Sequence, residues 1–295
     1  LNTIEIQDVS RRFGPKQALK NVNLELPKGT VLGLIGENGA GKTTLIKHIL
    51  GLLKPDHGSV RVFGLDPIQS PEKVLSRIGY LAEEDALPGW MRIDELQRYS
   101  AGFYPTWNQE YADQLCRNFN LDRKAKLKSL SKGQRARAGL MAALAIKPEF
   151  LLLDEPSSGL DPIVRRDILG AVIGSVADEG GTVLFSSHLL TEIERVADRV
   201  AMIRDGELVF CEDLDALKHA HLKVTLRFDN YKSSSPILAG ASHWEGEGTE
   251  WTAVYTGDGG NLEAASALAK ATVVDRRWLS LEEIFVAHSA SRSAI

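Results

Sequence analysis

Hydrophobic positions along this chain change texture several times, and each texture predicts a different element. Near the start, Ile4 and Ile6 and then Val22, Leu24 and Leu26 alternate with polar neighbours, the period-two pattern of half-buried strands. Residues 30–35 form an apolar run instead, as expected of a parallel strand covered on both faces. A glycine-rich turn follows, and then a helix-like segment over residues 43–50. Further buried strands are predicted at residues 78–81, 150–153 and 183–186, with helix-length segments such as residues 163–176 between them. Strands alternating with helices predict an α/β fold on a largely parallel sheet.

Between residues 84 and 148 the strand signals stop, and periodic stretches over residues 94–101 and 110–119 predict an inserted helical subdomain. Trp90, Phe103, Tyr104 and Trp107 cluster there; they read first as the small core of that subdomain and second as a partner-binding surface. Beyond Ala220 the alternation returns in Val224, Leu226 and Phe228 and again over residues 251–255. Residues 263–270 read as a helix, and Ser280-Leu281-Glu282-Glu283 as a capping box opening a last one. The expected organisation is therefore a main domain over residues 1–218, carrying the helical insertion, and a small α+β domain over residues 219–295.

Composition narrows the class. With 43% hydrophobic and 25% charged residues the chain is an ordinary globular protein. A formal net charge of -4 argues against a nucleic-acid coat, which needs a basic surface. The basic run from Arg123 through Lys132 to Arg137 reads as a solvated linker and helix face. Cys116 and Cys211 are too few and too distant in sequence for a disulfide framework or a zinc site, and read as reduced structural thiols. No apolar stretch approaches the roughly 20 residues that cross a bilayer. Asn2, Glu5, Gln7 and Asp8 interrupt what a signal peptide would keep apolar, while Leu1 in place of Met suggests a natural start outside this numbering.

Two motifs carry the chemistry. Gly36-Glu37-Asn38-Gly39-Ala40-Gly41-Lys42-Thr43, backed by Thr44, fits a P-loop lying between a buried strand and a helix. Its glycines let backbone N–H groups turn towards phosphates, and the helix N-terminus adds its positive end. Lys42 is then expected on the β- and γ-phosphates and the Thr43 hydroxyl on magnesium. The run Phe150-Leu151-Leu152-Leu153-Asp154-Glu155 delivers two carboxylates at the carboxyl end of a strand, where open α/β sheets bind ligands. Asp154 is expected to hold magnesium through water, and Glu155 to polarise the attacking water as general base.

Leu130-Ser131-Lys132-Gly133-Gln134 resembles the signature sequence of ABC ATPases, Ser158-Gly159-Leu160-Asp161 resembles their D-loop, and His188 after Ser186-Ser187 resembles their switch histidine. The resemblance covers about residues 4 to 215. It implies the P-loop NTPase fold of ABC ATPases, with ATP and Mg2+ as cofactors and a shared site: Ser131, Gly133 and Gln134 would meet the γ-phosphate bound by a second ATPase subunit, identical or a close paralogue. It also implies that Asp161 lines the subunit boundary, that His188 contacts the γ-phosphate, and that Phe13 stacks under the adenine. Two departures stand out. Glu83 occupies the position of a magnesium-contacting glutamine, and Lys132 replaces the commoner glycine of the signature. Phe103-Tyr104-Pro105-Thr106-Trp107 and Ser280-Leu281-Glu282-Glu283-Ile284-Phe285 resemble exporters whose permease is a separate polypeptide. The expected function is ATP hydrolysis at the cytoplasmic face of the cell membrane, driving integral membrane permease subunits. The alternative is a soluble ABC ATPase acting in assembly, repair or translation.

Overall fold

A computed structural model describes residues 1–83, 87–156, 173–174, 176–177, 179–257 and 259–290. These form two compact units, Leu1–Cys211 and Glu212–Ile295.

The first unit opens with the hairpin β1 (Asn2–Phe13) and β2 (Lys16–Pro27), followed by β3 (Val31–Ile35), helix α1 (Lys42–Ile49), β4 (His57–Val62), α2 (Pro71–Leu75) and β5 (Ile78–Leu81). Ile4 and Ile6 pair with Leu26 and Leu24 across the hairpin, and all four are buried, as the alternation requires. The order β2-β1-β4 makes a small antiparallel sheet. Helices α3 (Ile93–Phe103), α4 (Gln109–Asn118) and α5 (Lys132–Ala145) come next, and then β6 (Phe150–Leu153), β7 (Thr182–Ser187), α6 (Leu190–Val196), β8 (Arg199–Arg204) and β9 (Glu207–Asp213). The six-stranded main sheet has the order β5-β6-β7-β3-β8-β9, with parallel ladders from β5 through to β8. All residues of β3, β6 and β7 are buried, which is why they read as near-continuous apolar runs rather than alternations. Most of the predicted segment 163–176 lies outside the described residues.

Helix α5 sits hard against β5: a Cβ on Gly79 would lie 2.4 Å from the Ala143 carbonyl oxygen, and one on Gly139 would lie 2.6 Å from Leu81 Cδ1. The aromatic cluster forms little of the core of the helical part, since Tyr104 and Trp107 are only half-buried. Trp90 and Phe103 are 70% and 65% exposed, and Phe103 lies 4.9 Å, ring to ring, from exposed Tyr99. Aliphatic and small side chains that interlock between helices fill that core instead: Ile93, Leu96, Ala112, Leu115 and Cys116, with Leu140, Met141 and Leu144 of α5.

The second unit holds α7 (Leu214–His219), β10 (His221–Lys232), β11 (Ala241–Thr256), α8 (Gly259–Leu268), β12 (Ala271–Trp278) and α9 (Leu281–Ala290). Its antiparallel sheet has the order β11-β10-β12. Val224, Leu226 and Phe228 face a core with Trp251, Ala253, Tyr255 and Leu262. Ser280 caps α9: its hydroxyl accepts from the Glu283 N–H at 3.3 Å, while the Glu283 carboxylate accepts from the Ser280 N–H at 3.0 Å.

Candidate nucleotide site

The connection between β3 and α1 turns sharply. Gly39 and Gly41 have φ of +83° and +116°, where side chains with a Cβ are strained, and a Cβ on Gly41 would sit 2.7 Å from the Ala18 carbonyl oxygen. Gly36 is fixed by space, since a Cβ there would lie 2.4 Å from the Ile203 carbonyl oxygen. Helix α1 starts at Gly41 without a side-chain cap, which leaves its positive end available to an anion. Ala40 faces inward, 6% exposed, and its carbonyl accepts from the Gly206 N–H at 2.9 Å.

A cleft of about 190 Å³ opens above this loop and gathers Phe13, Asn38, Gly39, Gly41, Lys42, Thr43, Thr44, Glu83 and Glu155. Phe13, at the hairpin tip, is 44% exposed, with the Arg11 guanidinium 4.9 Å from its ring centroid. Glu37 of the P-loop motif lines the cleft too, as do Lys16 and Ala18, which were not anticipated. Lys16 pairs with Phe13 across the hairpin, a register that the local sequence does not announce.

Lys42 is 6% exposed, and its Nζ donates to the Gly36 carbonyl at 2.7 Å and lies 3.2 Å from Glu155 Oε1. Glu155 Oε2 lies 2.7 Å from His188 Nδ1, so an imidazole holds one oxygen of this buried carboxylate, while the other pairs with the Lys42 charge but has no hydrogen-bond partner. Removing one partner of such a buried pair typically costs about 3–5 kcal/mol, because the other charge is left uncompensated. Glu155 itself has φ of +47°. Its N–H donates to Ser186 Oγ at 2.8 Å, and that hydroxyl donates to Asp154 Oδ1 at 2.7 Å. Asp154 is 1% exposed, and its Oδ2 is buried without a hydrogen-bond partner. Beside it, burial pushes the Tyr80 hydroxyl up to about 12, helped by the negative charges of Asp154 and Glu83. Thr43 and Glu83 line the cleft, and Asp154, which does not, has an unpartnered carboxylate oxygen; all three are oxygen donors of the kind that suits a hard divalent cation.

His188 is carried by a turn that Ser187 ties down: its hydroxyl donates to Glu192 Oε2 at 2.9 Å and accepts from the Leu189 N–H at 3.0 Å. Ser131, Gly133 and Gln134 do not line the cleft. They open α5, where Ser131 Oγ accepts from the Gln134 N–H at 3.2 Å and Gln134 Oε1 accepts from the Ser131 N–H at 3.0 Å. Asp161 lies outside the described residues. The sequence marked Ser186 only as a neighbour of His188 and gave it no role, since a serine near the end of an apolar strand carries no pattern of its own.

A family model described as ABC transporter matches residues 19–158. The ABC transporter ATP-binding protein YtrB of Bacillus subtilis (strain 168) is 31% identical over 226 residues, 77% of this chain and 77% of YtrB. The bacitracin transport ATP-binding protein BcrA of Enterococcus faecalis is 32% identical over 247 residues, 81% of this chain and 79% of BcrA. Among solved structures, the dimeric MJ0796 bacterial ABC transporter cassette superposes with a TM-score of 0.65 at 25% identity, over 72% of this chain and 98% of the cassette.

Proposed function

The chain belongs to the ABC transporter family as an ATP-binding, ATP-hydrolysing subunit, and on that premise we propose that two copies, or one copy and a close paralogue, close around two MgATP and drive a separate membrane permease in export. The relatives favour this transport role over the soluble-factor alternative. The observation that carries the shared site is a separation. Lys42, Thr43, Glu83 and Glu155 line one cleft, while Ser131, Gly133 and Gln134 stand at an exposed helix start outside it. One chain then offers two half-sites, which a second chain completes.

In this reading the backbone N–H groups of the loop over residues 36–43 and the start of α1 bind the phosphates, and Phe13 stacks on the adenine. Lys42 exchanges its contact with Glu155 for the phosphates. That releases Glu155 Oε1 towards an attacking water, while His188 keeps the other oxygen oriented. Asp154 Oδ2, Thr43 and Glu83 would hold magnesium, which when bound neutralises charge on the β- and γ-phosphate oxygens. Ser131 at the positive end of α5 would approach the γ-phosphate of the partner's nucleotide, and Asp161 the subunit boundary.

Among the described residues no helix is long and apolar enough to cross a membrane. We place the chain at the cytoplasmic face, with residues 1–218 as the ATPase domain and residues 219–295 as an accessory domain. Support for a transport role comes from BcrA, a bacitracin transport ATP-binding protein, and export is the direction we propose.

Glu155→Gln tests the core of this reading. Turnover is expected to fall at least about 10²–10⁴-fold, the usual worth of a general base, while saturating MgATP accumulates a dimer visible by light scattering. A variant that stays monomeric at saturating ATP would overturn the shared site.

A further inference from the structure

Strand β7 ends in two adjacent serines that face different tasks. Ser187 fixes the turn that carries His188, through Glu192 and the Leu189 N–H. Ser186 is wholly buried, and its one hydroxyl touches both carboxylate-bearing residues of β6's end: it donates to Asp154 Oδ1 at 2.7 Å and accepts the Glu155 N–H at 2.8 Å. We propose that Ser186 is a positioning residue for ATP hydrolysis, setting the metal-holding carboxylate and the general base relative to each other through a single hydroxyl. This rests on the roles given above to Asp154 and Glu155.

The sheet explains why a side chain is needed at this point. The β6–β7 ladder runs through Leu153 opposite Phe185, its last pair. Asp154 then sends its N–H the other way, to the Leu81 carbonyl of β5 at 2.8 Å. The next N–H, that of Glu155, points back towards β7, and there it meets the Ser186 hydroxyl instead of a main-chain carbonyl. Glu155 takes φ of +47° at this point, a conformation unfavourable for a residue with a Cβ, so its backbone must be held by its surroundings.

A serine hydroxyl has one proton, and this geometry leaves no choice in its use. An N–H can only donate, so Ser186 Oγ accepts from Glu155 and spends its proton on Asp154. Oδ1 is thereby engaged and Oδ2, buried and unpartnered, is the oxygen left for a cation. Losing the hydroxyl would free Asp154 to rotate and Glu155 to relax, disturbing metal binding and base placement together. The P-loop contacts to the nucleotide would be untouched.

The test compares Ser186→Ala and Ser186→Thr in the full chain, with Glu155→Gln as control, reading kcat, KM for ATP, and ATP affinity in magnesium and in EDTA. Ser186→Ala is expected to lower kcat about 10–100-fold, the worth of a hydrogen bond to a charged group. Affinity in EDTA should not change, and the affinity gained on adding magnesium should shrink about tenfold on the same scale. Ser186→Thr, which keeps the hydroxyl, should restore both. Wild-type kcat and magnesium gain in Ser186→Ala, or equal losses in Ala and Thr, would overturn the proposal. Turnover retained by Glu155→Gln would instead overturn the reading beneath it. Should Ser186→Ala not fold, Ser186→Cys gives the same readouts at nearly constant volume; if that chain also fails to fold, Ser186 is a folding residue and the positioning role falls.

Discussion

Strand β6 of the first unit is buried at every position, whereas β12 of the second exposes most of its side chains, including Asp275, Arg276 and Arg277. The difference follows from where each strand sits. β6 lies inside a sheet between β5 and β7 and can be apolar throughout; β12 is the edge of a three-stranded antiparallel sheet, and charged side chains blunt an edge that would otherwise recruit another strand. Polar groups follow the same division. The first unit carries surface pairs too, Arg77 with Glu149 among them, but it also buries polar groups at the carboxyl ends of its strands, as in Asp154, Glu155 and Ser186, where they hydrogen-bond one another. In the second they form surface pairs such as Arg227 with Glu250 at 3.2 Å and Arg277 with Glu283 at 2.8 Å. Buried polar groups at strand ends can do chemistry; exposed pairs on a small sheet contribute little beyond local order.

The strongest way to break this contrast is Lys42→Ala. It removes the buried cation that holds Gly36 and Glu155, and ATP affinity should fall about 100-fold or more, since charge-assisted contacts to phosphate are lost. Unchanged affinity by calorimetric titration would remove the P-loop from the site. Next in size is Leu226→Ala in the second core. It should cost about 2–5 kcal/mol of that unit's stability, read as lost hydrogen-exchange protection over residues 221–290, with ATP affinity unchanged. A fall in ATP affinity of the same order would show that the two units are energetically one.

The smallest effects are those of acid. Burial holds the His48 imidazole below its ordinary 6.5, so the folded chain keeps it neutral while the unfolded chain takes up a proton. Its contribution is full above pH 6.5 and is lost as pH falls through the lower folded value. Glu283 is held down to about 2 by the hydrogen bond from Arg277, against an ordinary 4.5. Its contribution is present above 4.5 and disappears between there and about pH 2. Both partners are partly exposed, so screening limits it to a few tenths up to about 1 kcal/mol. Denaturant melts of His48→Gln and Glu283→Gln across pH 7 to 2 should therefore flatten different windows. Coincident windows would contradict the separation.

The carboxylate strand was legible because burial on both faces imposes an apolar run, and the P-loop because glycines at special backbone geometry must be written as glycines. The capping box of α9 was legible for a similar reason, since its Ser280 and Glu283 satisfy each other within one turn. Strand β12 was not, because an edge strand may carry charges where a pattern demands apolar residues. The exposed Trp90, in a turn, and Phe103, at the end of α3, were misjudged as core because size and hydrophobicity do not say which way a side chain looks.

What the sequence determined by itself is therefore whatever depends on a residue and its near neighbours: periodicity, turn chemistry and caps, with Lys42, Asp154, Glu155 and His188 marked as candidate site residues. What only the tertiary structure decided is which groups from distant segments share an atom's reach: Lys16 beside Phe13 at the cleft, Lys42 and His188 on the two oxygens of Glu155, and Ser186 bridging both carboxylates. Those contacts arise from the order of strands in the sheet, a long-range arrangement that leaves no periodic trace along the chain.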